Sequence, residues 1–151
     1  MEMKIMIKIY TIPSNLPSRQ AVRWLTQHDV AFTEQRVHVD QPELTIDELK
    51  QFLMASENGV DDLLSFQSLA YAAFIKNHDP EAMSLQALLT AMIENIRLLH
   101  FPIIYDDHLH ILQTGFSQDD IRVFLPRSVR VQELTTMLLR ESKSDELSDI
   151  E

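Results

Sequence analysis

The run Ile5-Met6-Ile7-Lys8-Ile9-Tyr10-Thr11-Ile12, followed by Pro13-Ser14-Asn15-Leu16-Pro17 and then Ser18-Arg19-Gln20-Ala21-Val22-Arg23-Trp24-Leu25, decides the fold. Residues 5–12 are rich in β-branched and aromatic side chains and stop at a proline, the pattern of a mostly buried strand running into a loop. From Ser18 the apolar positions shift to helical spacing: Ala21, Val22 and Leu25 share one face, while Arg19, Arg23 and Gln27 lie off it. Ser14 or Asn15 is available as the N-cap. Pro17 suits the first turn, where a missing N–H costs no hydrogen bond. Residues 30–39, Val-Ala-Phe-Thr-Glu-Gln-Arg-Val-His-Val, carry alternating apolar positions and read as a second strand. A strand, a crossover helix and a second strand make a βαβ unit, so the two strands are expected to be parallel.

Downstream lies a mainly helical stretch from Thr45 to about Leu99, opened by Thr45-Ile46-Asp47-Glu48, whose Thr and Glu three apart predict a capping box. It divides at Asn58-Gly59 and at His78-Asp79-Pro80. Pro102 introduces Ile103-Ile104-Tyr105 as a short strand, and Leu109-His110-Ile111-Leu112 reads as its hairpin partner across the polar turn Asp106-Asp107. Ser117-Gln118-Asp119-Asp120 caps a helix through Phe124, Pro126 breaks it, and residues 129–140 make the last helix. Residues 141–151 hold five acids and three serines against one lysine, the composition of a mobile acidic tail. The expected organisation is one α/β domain over residues 1–140 with a helical insert at about 41–99, followed by a disordered tail over 141–151.

Composition narrows the function. The 151 residues suffice for one ordinary core. With 13 Lys plus Arg against 23 Asp plus Glu, the net charge is −10, which disfavours unaided binding to a nucleic-acid backbone and suits a basic protein partner. Cysteine is absent, so disulfides, thiolate catalysis and cysteine metal sites are excluded together. No apolar run approaches the roughly 18 residues of a membrane span. Glu2, Lys4 and Lys8 interrupt the first ten residues, and no small-residue cleavage site follows. A cytoplasmic protein is expected.

The order of elements is that of a thioredoxin-like fold with a helical insertion, and three segments make the likeness specific. Tyr10 to Ala21 resembles the strand, redox loop and helix start of the Spx and arsenate reductase family. Leu98-Leu99-His100-Phe101-Pro102-Ile103-Ile104 is similar to its proline-led strand, in which Pro102 would be cis. Gly115-Phe116 with Asp120-Ile121-Arg122-Val123-Phe124-Leu125-Pro126-Arg127-Ser128-Val129-Arg130 resembles the C-terminal signature of the Spx branch. The likeness covers residues 4 to about 140. It implies a mixed sheet of about four strands and a transcriptional regulator that binds the C-terminal domain of the RNA polymerase α subunit. Promoter DNA would be contacted only within the polymerase complex, and a ClpXP-type protease would control the level of the protein.

The departures matter as much. Where many Spx members carry Cys-x-x-Cys, this chain reads Asn15-Leu16-Pro17-Ser18, a degenerate redox loop. Asparagine has nothing to ionise, and a serine hydroxyl is too weak an acid to be activated by a helix N-terminus as a thiol is. Serine would need a base, and no histidine is expected beside Ser18. Phe101 replaces the arginine that many members carry before the cis-proline, and Gln67 replaces an oxyanion-binding arginine of the arsenate reductases. The resemblance therefore implies a redox-inactive regulator, neither enzyme nor cofactor binder. The rivals are an arsenate-reductase-like enzyme using a non-thiol group and an interaction protein with a different partner.

Two glycines serve the whole chain, so each is expected to meet a backbone demand. Gly59 lies in Glu57-Asn58-Gly59-Val60-Asp61-Asp62. The bland reading is a left-handed helix stop between two helices; the resemblance adds that Asn58, Gly59, Val60, Asp61 and Asp62 form the contact with the polymerase. The two readings are compatible, and the acids from Asp40 to Asp62 would complement a basic partner. Gly115 is expected to make a turn. Asp106-Asp107-His108-Leu109-His110 offers possible metal ligands, His108 and His110 sharing a strand face, but a polar hairpin turn explains the segment better and no metal is expected. The aromatic residues, Phe66 among them, read as core.

Overall fold

The computed structural model describes residues 6–40 and 42–148, with backbone alone for 127–128 and 142–148. Ile5 of the expected first strand, Gln41 at the start of the insert and residues 149–151 of the acidic end lie outside that range.

Strand β1 (Ile7–Thr11) ends where Pro13 removes a backbone donor, and helix α1 (Leu16–Gln27) starts at the Asn15 cap. Strand β2 (Thr33–Arg36) pairs parallel to β1 with Ile9 opposite Glu34, completing the βαβ unit. It is shorter than the expected 30–39, because Asp29 at φ +55° and the Val30 N–H bonded to the Leu25 carbonyl still belong to the helix exit. Strand β3 (Ile103–Asp106) runs antiparallel to β1, and β4 (Ile111–Thr114) antiparallel to β3. The sheet is four-stranded and mixed, in the order β2-β1-β3-β4.

The period-two alternation of strands divides the core between the two faces of the sheet. Ile9 and Ile104 point to one face, where they bury Ala21, Trp24 and Leu25 of α1 together with Ile121 and Phe124. Tyr10, Ile103 and Tyr105 point to the other, against the insert. There α2 (Ile46–Ala55) contributes Leu49 and Phe52, and α4 (Leu85–Glu94) contributes Leu88, Leu89 and Met92. The capping box opens α2 as the Thr–Glu spacing predicts: Thr45 Oγ1 accepts from the Glu48 N–H at 3.2 Å, and Glu48 accepts from the Thr45 N–H at 3.3 Å. Glu48 also accepts from the Tyr10 hydroxyl at 2.5 Å, tying the insert to the central strand. The short helix α3 (Leu69–Phe74) lies between the two divisions the sequence predicts.

Four expectations need correction. The second hairpin strand begins at Ile111, not Leu109, because Asp106 Oδ1 accepts from the His108 and Leu109 N–H groups, both at 2.9 Å, and His110 sits at φ +53°. An aspartate turn followed by a left-handed residue displaces the strand start, so His108 and His110 share no strand face. The turn after Ser117 is a 3₁₀ helix, Asp120–Phe124. Helix α5 (Arg127–Ser148) extends past Arg140 into the segment read as an acidic tail. Phe66 is exposed, with its edge to Tyr71, rather than part of the core.

Candidate functional site

The segment Asn15-Leu16-Pro17-Ser18, which the resemblance reads as a degenerate redox loop, sits at the N-terminus of α1, after the end of β1. Ser14 takes φ +57°, and Asn15 follows in extended conformation as the N-cap. The Asn15 carboxamide oxygen accepts from the Ser18 N–H at 2.9 Å and from the Ser18 hydroxyl at 2.7 Å. Ser18 is buried, and its hydroxyl also lies 3.4 Å from the Ile12 N–H as an acceptor. The two ends of the Asn15-Leu16-Pro17-Ser18 segment are therefore joined by a neutral hydrogen bond. Leu16 projects into solvent, and Pro17 occupies the first turn as its missing N–H predicts. None of these four side chains offers an ionisable group.

A cleft of about 470 Å³ separates this loop from the insert, with Asn15 and Pro17 on one wall and Ser65, Ser68, Arg97 and His100 on the other. Phe101 lines its base, and the Phe101–Pro102 peptide bond is cis. Two short segments hold that wall: the Ser65 N–H donates to the Leu98 carbonyl and the His100 N–H to the Leu63 carbonyl, both at 2.8 Å, around the antiparallel bridge Leu64–Leu99. His100 is partly covered, and this desolvation lowers its pKa below the usual 6.5, so it is neutral at neutral pH. The Ser68 hydroxyl is committed to capping α3, accepting from the Tyr71 N–H at 3.0 Å and donating to the Ser65 carbonyl at 2.8 Å. A buried serine bonded to an amide and a neutral histidine that does not reach it make no nucleophile–base pair.

The second locus, Asn58–Asp62, lies on the opposite side of His100. Helix α2 stops at Ala55, with Ser56 extended at ψ 150°. Gly59 therefore does not terminate the helix; it comes four residues after the last helical residue, at φ +68°, and opens the 3₁₀ turn Gly59–Asp62. Its N–H donates to Ser56 Oγ at 3.1 Å, and a β-carbon there would meet nothing within 4 Å. Asp62 braces the turn. Oδ2 accepts from the Glu57 and Asn58 N–H groups, both at 3.0 Å, Oδ1 accepts from Asn58 Nδ2 at 3.1 Å, and the Asp62 carbonyl accepts from Thr114 Oγ1 at 2.5 Å. Glu57, Asn58 and Asp61 face solvent.

The two predicted loci are thus neighbours without merging. Asp61, Asp62 and Gln67 line one cleft, Asn15 and Pro17 line another, and only Ser65 and His100 border both. Gln67 lies with the acids. The sequence gives no sign of Arg97 or Thr114, while His100, read there as a surface or boundary residue, stands at the border of both clefts. Arg97 follows the Asn95 cap of a three-residue 3₁₀ turn, a span too short for a periodicity to announce which way it points.

The profile of the ArsC family matches residues 10–124, from the central strand through the 3₁₀ turn before Pro126. The chain belongs to the ArsC family. Within it the chain is similar to proteins named global transcriptional regulator Spx. The relatives from Staphylococcus epidermidis and Staphylococcus aureus are each 40% identical over 129 residues, covering 85% of this chain and 94% of theirs. Among solved structures, an ArsC family related protein from Bacteroides fragilis superposes with a TM-score of 0.68 at 17% identity, covering 80% of this chain and 98% of that one. An arsenate reductase from Vibrio cholerae superposes at 0.64 and 21%, covering 81% and 100%. At these identities the structures establish the thioredoxin-like fold of this Spx-type ArsC member. Its chain carries no cysteine at the redox loop or elsewhere.

Proposed function

We propose that this Spx-type protein is a redox-inactive, cytoplasmic regulator of transcription that binds the C-terminal domain of the RNA polymerase α subunit through Asn58, Gly59, Val60, Asp61 and Asp62. The observation that carries this reading is the half-exposed acidic turn at Gly59, with Asn58 and Asp61 facing solvent and Asp62 holding its shape, in a chain 40% identical to Spx regulators. A pre-shaped turn loses less conformational entropy on binding, and its acids steer a basic surface toward it. The net charge of −10 favours a protein partner over DNA, so promoter contacts belong to the assembled complex. Catalysis is not part of this reading, because the chain has no thiol and the Ser18 hydroxyl is buried against Asn15. With no thiol to switch it, activity follows abundance, and a ClpXP-type protease is the proposed control.

Calorimetric titration with the isolated C-terminal domain of polymerase α tests the contact. Wild-type protein is expected to bind, and Gly59→Arg and Asp61→Lys to lose at least about tenfold in affinity, each about 1.4 kcal/mol or more, while melting within a few degrees of wild type. Asp61→Lys controls for the backbone strain that arginine suffers at φ +68°. Absence of wild-type binding overturns the reading and leaves the fold intact. Arsenate-dependent thiol consumption by the purified protein would instead favour the enzymatic alternative.

A further inference from the structure

On the far side of the redox loop, between α1 and β2, lies a cavity of about 390 Å³ that the polymerase reading does not use. Its volume is that of a small-molecule site. Ile12, Pro13 and Val22 give it an apolar lining, while Arg19, Arg23 and Arg36 border it. Three of the 13 cationic side chains of a chain with net charge −10 thus surround one concavity.

The charges there do not balance. Arg19 and Arg23 are four apart on α1 and share a face, where like charges repel. Glu34 is the one carboxylate in the lining, and it is already engaged: its Oε2 accepts from Thr11 Oγ1 at 2.8 Å and from Arg36 Nε at 3.3 Å. Among the described residues, neither Arg19 nor Arg23 has a carboxylate within ion-pair distance. We propose that this cavity binds a small organic anion, a carboxylate or phosphate ester with a compact apolar body. The α1 guanidinium groups would hold the anionic head, and Ile12, Pro13 and Val22 would hold the body. A guanidinium presents two parallel donors that match either head group. A concave site with an apolar lining favours such a ligand over a nucleic-acid backbone, which is usually met by exposed cations on an open surface. The proposal is independent of the polymerase contact, which lies on the insert.

The test is an amide-shift titration of the isotope-labelled full chain with phenyl phosphate, phenylacetate, inorganic phosphate and phenol. Saturable shifts confined to residues 11–23 and 34–36 are expected with phenyl phosphate or phenylacetate, whichever head group is preferred. That affinity should be at least about tenfold above those of inorganic phosphate and phenol. The double variant Arg19→Gln, Arg23→Gln should melt as wild type does and lose at least about tenfold in affinity for the preferred probe. Equal affinity for inorganic phosphate, shifts centred instead on Arg97, or no effect of the double variant overturns the proposal. So does tighter binding of a short DNA duplex through the same arginines.

Discussion

Gly115 holds φ +72°, and a β-carbon there would stand 2.6 Å from Cε1 of the His100 ring, whereas Gly59, at φ +68°, has open space where its β-carbon would be. Left-handed backbone costs an ordinary residue roughly 1–2 kcal/mol, and only Gly115→Ala must also displace a ring. Urea denaturation should therefore find Gly59→Ala destabilised by about 1 kcal/mol and Gly115→Ala by about 2 kcal/mol or more. The same histidine sets a pH dependence. Its pKa is lowered in the fold, so below about 6.5 the unfolded chain binds more protons than the native one, and stability falls as the pH drops through that window. His100→Gln should flatten the slope of stability against pH below about 6.5, and an unchanged slope would assign it to other groups. The sequence marks both glycines as special simply because there are two. That Gly115 serves a close approach by His100, 15 positions earlier in the chain, is invisible there, because the contact depends on how the hairpin meets the insert.

Among the elements, the turn after α2 is organised by one carboxylate. Asp62→Ala removes the acceptor for two backbone N–H groups and for the Asn58 carboxamide, at an expected cost of about 1–3 kcal/mol locally. Hydrogen exchange at the Glu57 and Asn58 amides should accelerate by about tenfold or more while β1 and β3 keep their protection. Retained protection would show that the Thr114 bond to the Asp62 carbonyl suffices to hold the turn. The elements themselves are legible wherever a local signal is strong: Pro13 and a cap at Ser14 or Asn15 for α1, Thr45 and Glu48 for α2. The hairpin was misplaced by two residues because Asp106-Asp107 reads as a two-residue turn, while the Asp106 side chain holds a longer one closed through His110. A side chain that bonds the backbone competes with strand pairing, and periodicity carries no record of that competition.

At the scale of the whole molecule, two cores share one sheet, and none of the described side chains of α5 belongs to either. Val129, Val131, Leu134, Met137, Leu138 and Leu139 are at least one-third exposed, and the Arg122–Glu133 ion pair ties the helix to the 3₁₀ turn Asp120–Phe124. A partly exposed ion pair contributes about 0–1 kcal/mol. Truncation after Ser128 should therefore lower Tm by no more than about 4 °C, since 1 kcal/mol corresponds to about 2–4 °C at this chain length. A larger fall in a melting curve would mean that α5 packs on the domain in solution. The insert behaves differently: Leu49, Phe52, Leu89 and Met92 are fully buried, so it is part of the core rather than an appendage.

The sequence alone determined the βαβ start, the proline-led strand, the absence of thiol chemistry and the family resemblance, because these rest on local periodicity, on capping residues and on which functional groups exist at all. Tertiary structure decided that Asn15 and Ser18 close on one another, that His100 stands between two clefts, that Asp62 shapes the Gly59 turn, and that three arginines from a helix and a strand surround one cavity. Most of these are juxtapositions between elements. They depend on which face of the sheet each element covers and on the register it takes there, and those are settled only when the apolar faces have packed.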